Sequence, residues 1–515
     1  MSKLPKSWAA IALSDAVINI TITDKKIPQK EYLSEGAYPV FDQGQDYIGG
    51  YSDKKEKLVD CELPVIVFGD HTRVIKFVNQ PFAPGADGIK VLQPQHFYNP
   101  RLLEYFTRHI ATHLTNHGYA RHYQHLVKSI IPLPPTNEQH RIVAKIEELF
   151  SELDKGIENL KTARAQLKVY RQTLLKHAFE GKLTAQWRAE RSVTPAKAGV
   201  QPLNDMDSRL RGNDKTLETA DALLKRIQQE RAQRYQQQLA DWEAAGKQGS
   251  KPKAPKPLLP LTAEELAVLP ELPEGWGWVR LASIVTVLSG YAFKSSDFVS
   301  AGVPVVKIAN VGYSEFVDKD QEFLDSSFLQ THDDFRIAPD DFLLALTRPI
   351  TNNRTKVCRY PKDASLALLN QRVSAMKDVE INPDFLYSYF GTSLFKESIR
   401  SKFSETLQPN LSPKDLEACP IPICALAEQA QIFSEIESRL SEVDQLELTI
   451  TTSLQQAEAL RQSILKKAFS GQLVPQDPHD EPASALLARI RAERATVAKS
   501  ATVAAKPRKV AEEKA

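Results

Sequence analysis

Apolar side chains fall seven positions apart at Ile146, Leu153, Leu160, Leu167 and Leu174, and again at the same phase at Ile436, Val443, Ile450, Ala457 and Ile464. A strict seven-residue repeat over about five heptads is the pattern of a coiled-coil seam, so both stretches are predicted to be long helices packed copy against copy. The companion positions of the first stretch, Ile142, Leu149, Gly156, Ala163 and Tyr170, include two small residues that admit another helix closely. The two stretches are one repeat: 131–183 aligns without a gap on 421–473, about 290 positions later, with roughly 20 of about 53 positions identical. Ile131-Pro132, Glu138-Gln139, Arg171-Gln172, Phe179, Gly181 and Leu183 match Ile421-Pro422, Glu428-Gln429, Arg461-Gln462, Phe469, Gly471 and Leu473. Thr136 with Gln139 fits a capping box and Gly181 a left-handed stop, whereas Leu426 gives the second copy a weaker start. Some 40 helical residues make a rod on the order of 60 Å, able to hold two other things a fixed distance apart.

The duplication extends beyond these helices. Leu4-Pro5 and Trp8 match Leu272-Pro273 and Trp276, and a short amphipathic helix follows each long one, around Ala222–Arg231 and Ala485–Arg494. Between lead-in and long helix the halves diverge. The first, from Ile18 to Gln124, carries strand-like runs such as 64–68 and 73–78 punctuated by Gly49-Gly50 and 85–88; the second, from Ile284 to Glu417, carries 303–308, 342–346 and 356–360. Each has a predicted helix near its end, at Pro100–His117 and Pro383–Phe403. The expected fold class is α+β: two mixed α/β domains separated by two long coiled-coil helices, a tandem internal duplication. Expected boundaries are 1–130 for the first domain, 131–187 for the first long helix, and 188–270 for an insert, short helix and Pro/Lys-rich linker. The second domain follows at 271–420, the second long helix at 421–475, and a short helix and tail at 476–515. The segment Arg191–Lys215 has no counterpart in the second half and reads as a surface excursion without function. A duplicated scaffold carrying two unlike domains implies two unlike ligands, or two unlike portions of one.

Composition narrows this only slightly. A chain of 515 residues has room for several cores, and a charged fraction of 25% with net charge +2 neither requires nor excludes a polyanionic partner. Four cysteines in so long a chain, with no secretory signal and no apolar run near 18 residues, point to a reducing, cytoplasmic setting without membrane contact. Cys419 and Cys424 lack a second Cys or His pair, so they read as buried structural thiols, and no metal is expected.

Nor does a catalytic motif survive. Asn79-Gln80-Pro81-Phe82 departs from the adenine-holding loop of amino-methyltransferases at Gln80, and no Gly-rich cofactor turn, phosphate-cradling loop or nuclease carboxylate cluster accompanies it. What remains is polar loops. His71, Thr72 and Arg73 form a turn between two apolar strands, read either as an ordinary hairpin or as a loop aimed at bases or phosphates; Arg121, His122 and Tyr123 are placed against a polyanion. His109, His113 and His117 sit at helical spacing without carboxylate or Cys partners, which favours a solvated face over a metal. The denser cluster lies in the second domain: Arg348, Asn352, Asn353, Arg354 and Lys356, then Asn370, Gln371 and Arg372, then Gln408 and Asn410. Arg is the favoured bidentate partner of guanine, Asn and Gln of adenine, and Lys suits phosphate.

Several of these motifs are shared with one family. The two Ile-Pro…Glu-Gln helix starts, the two Phe-x-Gly-x-Leu ends, 346–352, 369–373, Phe68-Gly69-Asp70-His71-Thr72 and 85–90 together resemble the DNA-specificity subunits of Type I restriction-modification systems, over nearly the whole chain. The resemblance implies an α+β fold of two mixed α/β target-recognition domains separated by two long antiparallel coiled-coil helices, each domain reading half of an asymmetric bipartite site in double-stranded DNA. It also implies two modification (methyltransferase) subunits and two restriction (endonuclease/translocase) subunits as partners. S-adenosylmethionine, ATP and Mg are then expected on those partners, with no cofactor and no catalysis in this chain. Half-sites on one face of the duplex are expected about 10 to 10.5 base pairs apart. Two other readings remain open from the residues: a coiled-coil scaffold whose globular ends bind proteins, and a methyltransferase or nuclease acting alone.

Overall fold

In the computed structural model the described residues are 4–85, 88–114, 121–194, 216–247, 251–255, 259–403 and 409–492. Both repeated stretches are helices of 44 residues, Thr136–Phe179 and Leu426–Phe469, beginning and ending at equivalent positions. The chain divides into two compact units, Met1–Ala163 with Thr449–Ala515, and Arg164–Leu448. Each contains a stretch of both long helices running antiparallel. In the first unit Arg141 meets Asp480 and Asp154 meets Arg461; in the second Thr184 meets Glu428 and Arg171 meets Asp444.

The first unit has a four-stranded antiparallel sheet in the order Val17–Ile20, Ile89–Pro94, Val65–Gly69, Ile75–Val78. Side chains of the central strand alternate between two cores. Ile66 and Phe68 face the helix Pro100–His113 and the long-helix residues Ile142, Ile146, Ile464 and Leu465, while Val65 and Val67 face Phe41, Phe82 and Val91. With both faces covered, the strand reads as an unbroken apolar run rather than an alternating one.

The second unit repeats the scheme with different strands. Its four-stranded sheet orders Thr286–Ser289, Val373–Lys377, Phe342–Ala345 and Val357–Arg359, and a five-stranded sheet includes Val303–Val306 parallel to Ala367–Leu369. Phe342 and Leu344 pack toward Phe385 and Phe390, and Leu343 and Ala345 toward a separate core with Val306 and Leu369. The expected single helix at 383–403 is two, Pro383–Phe390 and Ser393–Arg400, because Thr392 caps the second with its hydroxyl. Its counterpart stops at His113, and His117 lies outside the described residues.

The repeated Glu-Gln pair explains the helix starts. Glu138 Oε2 accepts from the Trp8 indole at 2.9 Å, and Glu428 Oε2 from the Trp276 indole at 3.0 Å. Gln139 Oε1 accepts from the backbone N–H of Asn99 at 2.6 Å, and Gln429 Oε1 from that of Asn382 at 2.9 Å. Those asparagines are the N-caps of the Asn-Pro helices of the two domains, so one dipeptide fastens the lead-in and the domain helix to the long helix. The capping-box expectation for Thr136 and Gln139 is corrected: the Gln139 amide is spent on Asn99, Phe97 and Pro134. Leu426 is not a weak start, since Glu428 and Gln429 make the same attachments. The helix ends dock equally closely. Gly181 (φ +67) and Gly471 (φ +72) turn left-handed, and a Cβ on either would lie 2.4 Å from Pro273 or Pro5.

Strand Ile130–Leu133 pairs with Ala9–Ala12 and Pro420–Ile423 with Gly277–Arg280, so cuts at 130 and 420 pass through strands. The helix expected to be short near 222–231 runs Ala220–Ala244, 25 residues. Residues 195–215 of the insert and the tail beyond 492 lie outside the described residues.

Candidate nucleic-acid interface

In the second unit three loops separated in sequence are joined by backbone bonds. Leu346 N–H donates to Arg372 O at 2.9 Å, Arg348 N–H to Pro409 O at 2.8 Å, and Thr347 bridges to Asn410. Beside them a two-residue hairpin, Ile350–Thr351 against Arg354–Thr355, turns at Asn352 (φ +52) and Asn353 (φ +58), and asparagine tolerates the left-handed region such a turn demands. Arg348, Asn352, Asn353, Arg354, Gln371, Arg372 and Asn410 are exposed, and Lys356 and Asn370 are half-buried. Gln408 lies outside the described residues. The hairpin is braced: Asn353 Oδ1 accepts from Arg400 at 3.0 Å, its carbonyl from Lys396 at 3.2 Å, and the Arg354 guanidinium sits 4.8 Å from the Tyr313 ring. Burial, then the Arg400 charge, depresses the Lys396 pKa.

The first unit brings its two nominated stretches together through Asp70. Asp70 O accepts from His122 N–H at 2.9 Å, and its carboxylate from Tyr123 N–H at 2.7 Å. Thr72 and Arg121 are exposed; His71, Arg73 and Tyr123 are half-buried, with Arg73 (φ +60) donating to Leu114 O at 2.8 Å. His122 is 1% exposed, which removes it from any polyanion surface. Its place in the sequence, between Arg121 and Tyr123, gave no sign that Asp70 draws its backbone inward. Thr72 and Arg73 also line an open cleft of about 630 Å³ with Gln45, Tyr47, Lys76 and Arg108. Lys76 is buried against Asp42 at 3.3 Å, and its pKa is lowered by that burial in spite of the carboxylate.

The helix seam is uneven. Ile436, Val443, Ile450, Ala457 and Ile464 are all buried, and so are Ile146 and Leu174, but Leu153, Leu160 and Leu167 are only half-buried. In the first unit the gap opens as an apolar groove of about 620 Å³, floored by Leu153, Gly156, Leu160 and Ala457 and edged by Leu460, which is 51% exposed. Burial raises the thiol pKa values, Cys358 to about 12 and Cys419 to about 11, so these cysteines are inert at neutral pH. Among the described residues no group of three or more His, Cys, Asp or Glu is placed to hold a metal, and no helix is long and apolar enough to cross a membrane.

One aromatic group was missed from the sequence. Tyr291, 41% exposed, stands beside the 370–372 turn, but nothing in the sequence pairs it with residues 80 positions away.

The chain thus has duplicated long helices and two unlike α+β domains, with Arg, Asn and Gln grouped on braced loops in the second unit. The chain belongs to the family described as Type I restriction modification DNA specificity domain, whose model matches residues 5–162 and 273–458; the family role is DNA-sequence specificity. It is 30% identical over 342 residues to the specificity subunit of the Type I restriction enzyme EcoAI of Escherichia coli, covering 63% of this chain and 55% of that one. To the MjaVIII specificity subunit of Methanocaldococcus jannaschii it is 29% identical over 205 residues, 39% of this chain and 47% of that one. The chain thus spans about half the length of these two relatives. A solved structure described as showing complex assembly and conformational transition of the type I R-M system matches with TM-score 0.55 and 16% identity, covering 92% of this chain and 100% of that chain. The HsdS subunit from Thermoanaerobacter tengcongensis matches with TM-score 0.50 and 18% identity, covering 91% and 98%. At those identities the likeness establishes the fold.

Proposed function

We propose that this chain is the non-catalytic, sequence-reading subunit of a cytoplasmic Type I restriction-modification complex, each unit reading one half of an asymmetric bipartite site in duplex DNA. The observation that carries this is the convergence, in the second unit, of exposed Arg348, Asn352, Gln371, Arg372 and Asn410 on loops pinned by backbone bonds. Rigidly held Arg, Asn and Gln are the side chains that tell guanine and adenine apart in the major groove. The first unit presents another set, Thr72 and Arg121 with half-buried His71, Arg73 and Tyr123, so the two half-sites differ. Two modification and two restriction subunits are recruited along the long helices, and the apolar groove at Gly156 and Ala457 suits a partner helix. S-adenosylmethionine, ATP and Mg belong to those subunits in this reading.

The test is duplex binding by the chain assembled with its modification subunit, over a range of salt. A steep negative slope of log affinity against log salt, together with preference for one sequence over scrambled duplex, is expected. Binding that ignores both salt and sequence would refute it.

A further inference from the structure

Tyr291 stands out among the exposed aromatic residues of the second unit. Its ring lies 5.1 Å from Phe293, 4.8 Å from His332 and 5.0 Å from Phe335, and Phe328 stacks on His332 at 5.1 Å. These neighbours fix the ring while leaving Tyr291 41% exposed. The backbone is fixed as well: Tyr291 N–H donates to Leu369 O at 2.8 Å, and Gln371 N–H donates to Tyr291 O at 3.0 Å. Gly290 makes this approach feasible, since a Cβ there would lie 2.1 Å from Asn370 O. The backbone of Tyr291 is thus tied to Leu369 and Gln371, one position before Arg372, and its ring is packed among aromatic neighbours, so side-chain entropy is already lost before any ligand arrives.

We propose that Tyr291 is a further sequence-reading residue of the second unit, whose ring makes apolar contact with the methyl group of a thymine next to the base pairs met by Gln371 and Arg372. This rests on the DNA-reading function proposed above. Arg, Asn and Gln read hydrogen-bonding edges, but the thymine methyl offers none, and an apolar or aromatic surface is what recognises it.

The experiment uses the full chain assembled with its modification subunit, and duplexes carrying each single base-pair change across the half-site that follows 284–417 when that segment is exchanged. Tyr291→Ser is expected to reduce discrimination at one A·T pair by about fivefold to tenfold and to leave the other positions and the salt slope unchanged. Deoxyuridine for thymidine at that pair should reproduce the loss in the unaltered protein, and Tyr291→Phe, which keeps the ring and its packing, should retain the original profile. The assignment is overturned if Tyr291→Ser changes no position or weakens every duplex alike, if Tyr291→Phe loses the discrimination, or if deoxyuridine is without effect. Loss of all sequence preference in the unaltered assembly would instead overturn the DNA-reading function itself.

Discussion

Glu138 and Glu428 occupy equivalent positions and hold equivalent tryptophans, yet their substitution by glutamine is expected to have unequal consequences. Glu428, 2% exposed, also accepts from Thr184 Oγ1 at 2.7 Å and from Arg188 Nε at 2.9 Å. Arg188 in turn donates to Gly181 O at the helix end and lies 5.6 Å from the Trp276 ring. At the matching place in the first unit Gln476 donates to Glu138 and, at 3.4 Å, to Gly471 O: a neutral amide does the work of the guanidinium. Glu428→Gln removes the carboxylate that pairs with a largely buried cation. Breaking a fully buried pair costs about 3–5 kcal/mol; because Arg188 keeps 14% side-chain exposure and glutamine still accepts one hydrogen bond, we expect about 2–3 kcal/mol. Glu138→Gln keeps an acceptor for Trp8 and strands no comparable cation, so it should cost less than about 1 kcal/mol. Urea unfolding followed by tryptophan fluorescence measures both. Equal costs, or a larger one for Glu138→Gln, would show that the Arg188 charge does not set the difference.

Other outcomes follow from the same contacts. Burial raises the Glu138 pKa above its ordinary 4.5, so the folded state holds that proton more tightly than the unfolded chain. Its contribution to stability is complete below pH 4.5 and is lost as pH rises through the raised folded value; the stability difference between the unaltered protein and Glu138→Gln, measured from pH 4 to 7, should drift accordingly. Gly471→Ala, which forces a Cβ onto Pro5 at a left-handed φ, should cost about 1–3 kcal/mol in the same unfolding assay. Arg372→Ala should relax preference at one base pair by about fivefold or more, whereas Arg121→Ala should weaken all duplexes alike and lower the salt slope by about one. Gly156→Leu fills the helix groove and should lower affinity for the modification subunit in calorimetric titration without lowering the melting temperature, since leucine favours the helix and meets open space there.

The duplication and both long helices were legible because a seven-residue apolar period and identical landmarks survive in one dimension. The apolar strands were legible too, since Val65 to Phe68 and Phe342 to Ala345 are covered on both faces and carry no polar interruptions. What Glu138, Gln139, Glu428 and Gln429 do was not legible: their partners Trp8, Asn99, Trp276 and Asn382 lie far away along the chain, and a repeated dipeptide does not say what it binds. Nor could the sequence separate Arg121 from His122, where one backbone bond to Asp70 decides which side chain turns outward. The loops of the second unit were recognised by residue type, but their convergence depends on the pairing of Leu346, Thr347 and Arg348 with 372, 409 and 410.

If two unlike units read two unlike halves of one DNA site, each half must follow its own unit. The most direct test is to exchange 284–417 for the corresponding segment of a relative, express the hybrid with its modification subunits, and map methylated adenines across the genome. We predict that one half of the methylated sequence changes and the other stays as it was. A change in both halves, or in neither, would contradict the account.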